Sequence, residues 1–296
     1  MAAERGVYVG NDKSDLLQFD GFIGHPAETV LAFTGGRNWA DMDPAWQFTG
    51  NYLGTSGHDL NWSLRMVPDD GGVQAYRDAA AGKFHDTYVG WAKTILAHDD
   101  GSDPIYVRFA HELGGDWFPW TQAAKQDPAA FKAAWEDITE AFRGVSDRFK
   151  IVFDTASDRE FDPEFFYPGD HVVDVIARDI YANPQWSSYD VNKAWQWYTH
   201  DMPNGLQDLA DFAGKHGKPM AIPEWGVPGS ANAALHDGYR ISGEFDSAAF
   251  IEKMEDWIEG HDVRFANYWN TTELYDGLLS DGNPAAAAAA LNAFYD

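Results

Sequence analysis

The sequence predicts an α/β fold in which eight parallel strands and their helices form a (β/α)8 barrel, one domain over residues 1–296. Three observations predict it. Eight short apolar, β-rich runs recur along the chain with helical patterns between them. Several of these runs are apolar on both faces, as strands of a buried parallel sheet are. No internal repeat and no low-complexity linker divides the 296 residues, a length at which single barrels are common. A doubly wound open sheet is the competing arrangement. It calls for a glycine-rich phosphate loop after the first strand, and the sequence has none there.

The elements follow in order. The first run is 7–9 and the second 29–33. The flanking segments 10–28 and 35–58 are rich in Gly, Asp and Asn and carry the weakest helical signal. The third run, 60–66, leads into a helical pattern over 75–98, where Tyr76, Phe84, Tyr88, Trp91 and Ile95 recur at mixed three- and four-residue steps. The fourth, 105–110, precedes an Ala-rich helix over 129–142 with Phe131, Trp135, Ile138 and Phe142 on one face. The fifth is 150–154 and the sixth 172–181. Helices are predicted at 206–213, 247–258 and 284–294, the last opened by Pro284, around a seventh run at 220–223 and an eighth at 265–269.

Charge narrows the partners. Lys and Arg number 21 against 47 Asp and Glu, a formal net charge of −26. A field of that sign repels nucleic acid and anionic membrane surfaces, so neither is expected as a partner, and a neutral or cationic partner suits it better. The chain is expected to act as a monomer. It has no Cys, which excludes disulfides and thiolate chemistry. No apolar stretch approaches transmembrane length. The opening MAAERGVYVG lacks the apolar core of a signal peptide, so a secreted or periplasmic parent is expected to have lost its leader, with cytoplasmic residence or excision from a longer chain as alternatives.

In a barrel, chemistry sits at the C-terminal ends of the strands. Polar residues at those ends are Arg65 after run three, Arg108 and His111-Glu112 after run four, and Asp154 after run five. Run six contributes Arg178, Asp179 and Tyr181, run seven Glu224-Trp225, and run eight Trp269-Asn270. Glu112 and Glu224 thus end runs four and seven, which a barrel would set across its mouth from each other. Two carboxyl groups facing one sugar ring are the minimum set for glycoside hydrolysis: one protonates the leaving oxygen, the other attacks the anomeric carbon or activates water. Their surroundings must keep one protonated and the other ionised. A lone strand-end Glu often only caps the next helix. Two of them, each followed by aromatic residues, point to a site.

Aromatics make up 15% of the chain, including 13 Trp. Trp117, Trp120, Trp186, Trp225 and Trp269 all follow strand ends, where a ring could floor a sugar subsite. Trp91 and Trp257 fall on helices and are expected to pack in the core. His111 could equally be a core histidine, because neighbours on a strand point to opposite faces. The other histidines show no HExxH or paired spacing, and no metal or cofactor is expected. Asp99-Asp100-Gly101-Ser102-Asp103 is only weakly like a calcium loop, and Asp69-Asp70-Gly71-Gly72 reads as a turn. GxSxG and GxxxxGKS motifs are absent, which removes support for serine-hydrolase and nucleotide-binding readings.

Four segments resemble glycoside hydrolase family 26, best known for β-mannanases. IYVRFAHELGGDWFPW resembles its acid/base segment, R-x-x-HE-x-N-G-x-W-x-x-W. KPMAIPEWG is similar to its nucleophile segment, VVDVIARDIY to its sixth strand and RFANYWN to its last. Together they cover 105–270. The resemblance implies a TIM barrel and a retaining double displacement, with Glu112 as acid/base and Glu224 as nucleophile. His111 and Tyr181 would orient the nucleophile, and Trp117 and Trp269 would line the central subsites. Trp120, Trp225, Arg108, Asp179 and Asn270 are further candidates for substrate contact. One departure stands out: Gly114-Gly115 replaces the usual Asn-Gly. It bears on specificity for mannan more than on catalysis, and leaves β-glucan, β-1,3-xylan or a bacterial exopolysaccharide as other substrates. A non-catalytic glycan-binding barrel is the reading from another class.

Overall fold

The computed structural model describes residues 2–50, 52–99, 101–157, 159–230, 233–234, 240, 244–279 and 283–295. Among these residues nine strands are interspersed with helices: β1 Glu4–Tyr8, β2 Thr29–Phe33, β3 Leu60–Leu64, β4 Ile105–Phe109, β5 Phe149–Thr155, β6 Val175–Arg178, β7 Ile180–Tyr181, β8 Met220–Gly226 and β9 Val263–Trp269. β6 and β7 are the predicted sixth strand, broken at Asp179. The alternation of parallel strands and helices is that of a (β/α)8 barrel, the fold class the sequence predicts.

The chain forms two compact units, Met1–Leu31 with Arg178–Asp296, and Ala32–Ala177. In the first unit, β1 pairs in parallel with β9 from Glu4↔Phe265 to Tyr8↔Trp269, and with the start of β2 at Gly6↔Thr29. Gly6 is required there. A Cβ would lie 2.0 Å from Asn267 Oδ1 and 2.8 Å from the Thr29 side chain, so only glycine lets the strands close. β8 continues the ladder onto β9 with two register shifts, and β7 pairs with β8 at Ile180↔Trp225 and Tyr181↔Gly226. In the second unit, β4 lies between β3, at Trp62↔Val107, and β5, at Ile105↔Phe149. β3 and β4 are buried at every position, including the polar Asn61, Ser63 and Arg108.

Local chemistry explains the helix ends. Helix Pro128–Val145 starts at an Asp127 cap with proline at its first position, and buries Phe131, Trp135, Ile138 and Phe142. Helix Leu206–His216 stops at Gly217, which is left-handed at φ 63°. The helix predicted over 75–98 is two, Gly72–Ala80 and His85–His98. Gly82, at φ 74°, turns the chain between them. Helix Lys13–Ile23 lies in a segment read as weakly helical. Its Asp12 cap accepts from Ser14 N at 2.7 Å, and Leu16, Phe19 and Ile23 form a buried stripe. The predicted helix 284–294 is regular only over Pro284–Ala289, after which the backbone widens to a π-type turn. No helix among the described residues is long and apolar enough to cross a membrane.

Candidate active site

Glu112 stands in the second unit, beyond the end of β4. The backbone there leaves the extended conformation in alternate steps: Ala110 and Glu112 both have φ 48° and Gly114 has φ 103°. Left-handed backbone at non-glycine residues costs of order 1–3 kcal/mol each and persists only where the surroundings over-determine it. Here they do. Ala110 N donates to Leu64 O at 3.2 Å, Glu112 N to Asp154 Oδ2 at 2.8 Å, and Leu113 N to Asp154 O at 3.2 Å. β5 therefore holds the turn that carries Glu112. The Glu112 side chain is half-buried, and Trp117 Nε1 donates to its Oε2 at 3.0 Å. Trp117 is 49% exposed, and the Arg159 guanidinium lies 5.0 Å from its ring centre.

Behind Glu112 the polar groups are buried. Arg108 Nη1 pairs with Asp154 Oδ2 at 3.1 Å, and Arg108 Nε donates to Ser63 Oγ at 3.2 Å. Ser63 Oγ lies 3.2 Å from His111 Nδ1. The His111 ring meets Phe33, Phe118 and Trp120 edge-on. Burial, and then the positive charge of Arg108 and Arg65, holds the His111 imidazole well below its ordinary range, so it is neutral. Trp120 is buried, donates to His111 O at 2.8 Å and stacks on Phe118. It fixes the histidine from behind, and Arg108 is 2% exposed, so both are placed as supports in the packed interior.

Glu224 stands in the first unit. It lies inside β8, which runs three residues beyond the predicted 220–223. Tyr181 Oη donates to Glu224 Oε2 at 2.6 Å, the length expected of a hydrogen bond onto a carboxylate. Trp269 lies edge-on to Tyr181, with ring centres 5.7 Å apart, and 4.3 Å from Tyr8. Its indole N–H donates to Glu273 O and Tyr275 O, both at 3.1 Å. Tyr8 Oη donates to Glu273 Oε2 at 3.3 Å, and burial together with the charges of Glu273 and Glu224 pushes its phenol far above the ordinary range. Tyr8 is thus a permanent donor beside two carboxylates.

The remaining predicted residues have clear places. Trp225 is fully buried, edge-on to Tyr268 and Phe294, which is packing rather than a sugar platform. Its neighbour Glu224 takes the opposite face, as strand alternation requires. Asp179 is buried at the break between β6 and β7, next to fully buried Arg178. Asn270 N donates to Tyr8 O at 2.9 Å, and its Oδ1 accepts from Leu279 N at 3.0 Å, so it ties the loop after β9 to β1. Trp186 is 38% exposed, while Trp91 and Trp257 are buried on helices. Ser63, Tyr8 and Glu273 join these clusters without having been singled out by sequence. Ser63 lies inside β3, which is buried at every position, a fact the sequence LNWSL with its alternating polar residues does not reveal. Among the described residues no three His, Cys, Asp or Glu side chains are grouped to hold a metal ion. The weakly calcium-like segment includes Asp100, which lies outside the described residues.

Known proteins resemble this chain over part of its length. Residues 82–228 match the family model for glycosyl hydrolase family 26, a stretch that includes both Glu112 and Glu224. A mannan endo-1,4-beta-mannosidase of Bifidobacterium adolescentis is 27% identical over 149 residues, 49% of this chain and 14% of that protein. A beta-1,3-xylanase of a Vibrio species is 32% identical over 126 residues, 41% of this chain and 23% of that protein. The chain therefore spans less than a quarter of the length of either relative. The structure of a beta-mannanase from Bacteroides ovatus matches with a TM-score of 0.61 at 15% identity, covering 98% of this chain and 87% of that one.

Proposed function

We propose, from the premise that the chain belongs to glycosyl hydrolase family 26, that it is a retaining endo-β-glycanase. Its two working groups are the carboxyls of Glu112 and Glu224, and β-1,4-mannan is its first-choice substrate. The observation that carries this reading is that each carboxyl accepts a hydrogen bond from an aromatic side chain, Trp117 Nε1 at 3.0 Å on Glu112 and Tyr181 Oη at 2.6 Å on Glu224, which orients it. Glu224 would attack the anomeric carbon while Glu112 gives its proton to the departing glycosidic oxygen. Water, deprotonated by Glu112, would then displace Glu224 and complete hydrolysis with the anomeric configuration kept. No cofactor enters this sequence, and a monomer suffices for it. Export to where polysaccharides lie suits the substrate class.

A second substrate is supported by Gly114, whose missing side chain removes a polar contact beside Glu112. A β-glucan, β-1,3-xylan or bacterial exopolysaccharide would then be cleaved by the same steps. The test is product analysis of wild type, Glu224→Ala and Tyr181→Phe on soluble β-mannans, β-glucans, xylans and exopolysaccharides. Short oligosaccharides from one polymer are expected. They should vanish in Glu224→Ala and form about 10–100-fold more slowly in Tyr181→Phe, since a hydrogen bond to a charged group is worth about 1.5–3 kcal/mol. Binding of a glycan without any product would replace this reading with a glycan-binding barrel. Inverted anomers among the first products would remove the double displacement.

A further inference from the structure

We infer that Ser63 is a positioning residue: its hydroxyl donates to His111 Nδ1 and so fixes the imidazole with its proton on Nε2. The argument is a count of hydrogens in a closed space. Ser63 is 1% exposed, Arg108 2% and His111 6%, so water does not serve these groups. The Ser63 hydroxyl has two hydrogen-bond neighbours among the described residues, Arg108 Nε and His111 Nδ1, each at 3.2 Å. The guanidinium N–H can only donate, so it occupies a lone pair of Oγ and leaves the hydroxyl hydrogen to be placed. His111 Nδ1 is the acceptor in reach. With the proton on Nδ1 instead, Oγ would receive two donors, and its own hydrogen would be buried without an acceptor. The relay therefore runs one way, from Arg108 through Ser63 to the ring.

The ring cannot turn to escape this choice. Phe33, Phe118 and Trp120 pack edge-on around it at 5.4, 4.7 and 4.8 Å between ring centres, and Trp120 holds the His111 carbonyl. Which nitrogen of a histidine carries the proton is set by the hydrogen bond made at the other. Ser63 thus makes the residue next to Glu112 a fixed Nε2–H donor, neutral and single in tautomer. β3 supplies the serine, β4 the arginine, and the turn after β4 the histidine, so the relay reports the alignment of these two strands. The state of the ring follows from this geometry alone. Its effect on turnover rests on the glycoside hydrolase reading.

The test is long-range proton–nitrogen NMR of the uniformly 15N-labelled protein, with His111 assigned by its loss in His111→Gln. In wild type above pH 7, Nε2 is expected as the protonated nitrogen and Nδ1 as an unprotonated, hydrogen-bonded one. In Ser63→Ala, Nδ1 should move toward the position of a free ring nitrogen, and Ser63→Thr, which keeps the hydroxyl, should restore it. A proton on Nδ1 in wild type, or an Nδ1 resonance unmoved in Ser63→Ala, would overturn the inference. The wild-type spectrum and Ser63→Thr still decide if Ser63→Ala does not fold. On a polymer that wild type cleaves, kcat/KM should fall about 10–100-fold in Ser63→Ala, the size expected when an outer hydrogen bond to a working histidine is removed, and recover in Ser63→Thr. Loss of turnover with an unmoved resonance would overturn the relay. A moved resonance in a protein that cleaves no glycan would overturn the hydrolase reading alone.

Discussion

At the scale of a residue, His111 shows how an ordinary side chain is converted by its neighbours. Exposed histidines gain protons near neutral pH. This one is buried beside Arg108 and Arg65, which disfavour a third positive charge. Its affinity for a proton is lowered on folding, so the unfolded chain binds a proton that the native state refuses. Stability contributed by the neutral ring is complete above the unfolded value of about 6.5 and is lost as pH falls below it. Wild type should therefore lose stability relative to His111→Gln as pH drops from 6.5, with a slope approaching about 1.4 kcal/mol per pH unit. The gap between the two proteins should stay flat above pH 7.5. Chemical denaturation at a series of pH values measures it, and a gap independent of pH would show that the ring is not buried neutral.

At the scale of an element, the turn after β4 is where geometry is most constrained. Ala110, Glu112 and Gly114 alternate into left-handed backbone, which turns Glu112 out of the strand while Asp154 holds its amide. Gly114 is needed for two reasons. Its φ is 103°, and a Cβ would sit 2.6 Å from the Phe161 ring. Gly115 is equally tight, with a Cβ 2.5 Å from Trp117. The two rings occupy the room that side chains on this loop would take. Gly114→Ala should destabilise the protein by about 1–3 kcal/mol. Adding Phe161→Ala should remove the clash but not the backbone strain, so the double-mutant cycle should show coupling of about 0.5 kcal/mol or more. Urea unfolding reads both, and strict additivity would mean that Phe161 does not fill that space.

At the scale of the whole molecule, charge dominates. Forty-seven acidic against 21 basic side chains repel one another in the compact state. Several acidic groups are neutralised locally, as Asp154 is by Arg108 and Asp127 by Arg77 at 2.7 Å, but most of the excess has no counterpart in basic residues. Screening should therefore stabilise the fold. Between about 0.01 M and 0.15 M salt the Debye length falls from about 30 Å to about 8 Å, and the melting temperature should rise by about 2–4 °C. A melting temperature that falls over this range would mean that exposed ion pairs outweigh the general repulsion.

Most strand positions and the barrel class were legible in the sequence, because apolar periodicity is a local property that survives without a fold. Helix Lys13–Ile23 was not, because its Asp and Gly content hides a stripe only three residues wide. Trp225 and Trp120 follow the strand ends read from the sequence, as Trp117 does. Yet the first two are buried and the third is exposed, since face and packing partner, not position, decide where a ring goes. Ser63, Tyr8 and Glu273 were hidden for the same reason: each matters through a neighbour far away in the chain. By itself, the sequence determined which chemical groups the strand ends present. Only the tertiary structure decided which donor grips each carboxyl and which nitrogen of His111 is free to hold a proton, because hydrogen bonds between distant residues exist only once burial has removed water as the competing partner.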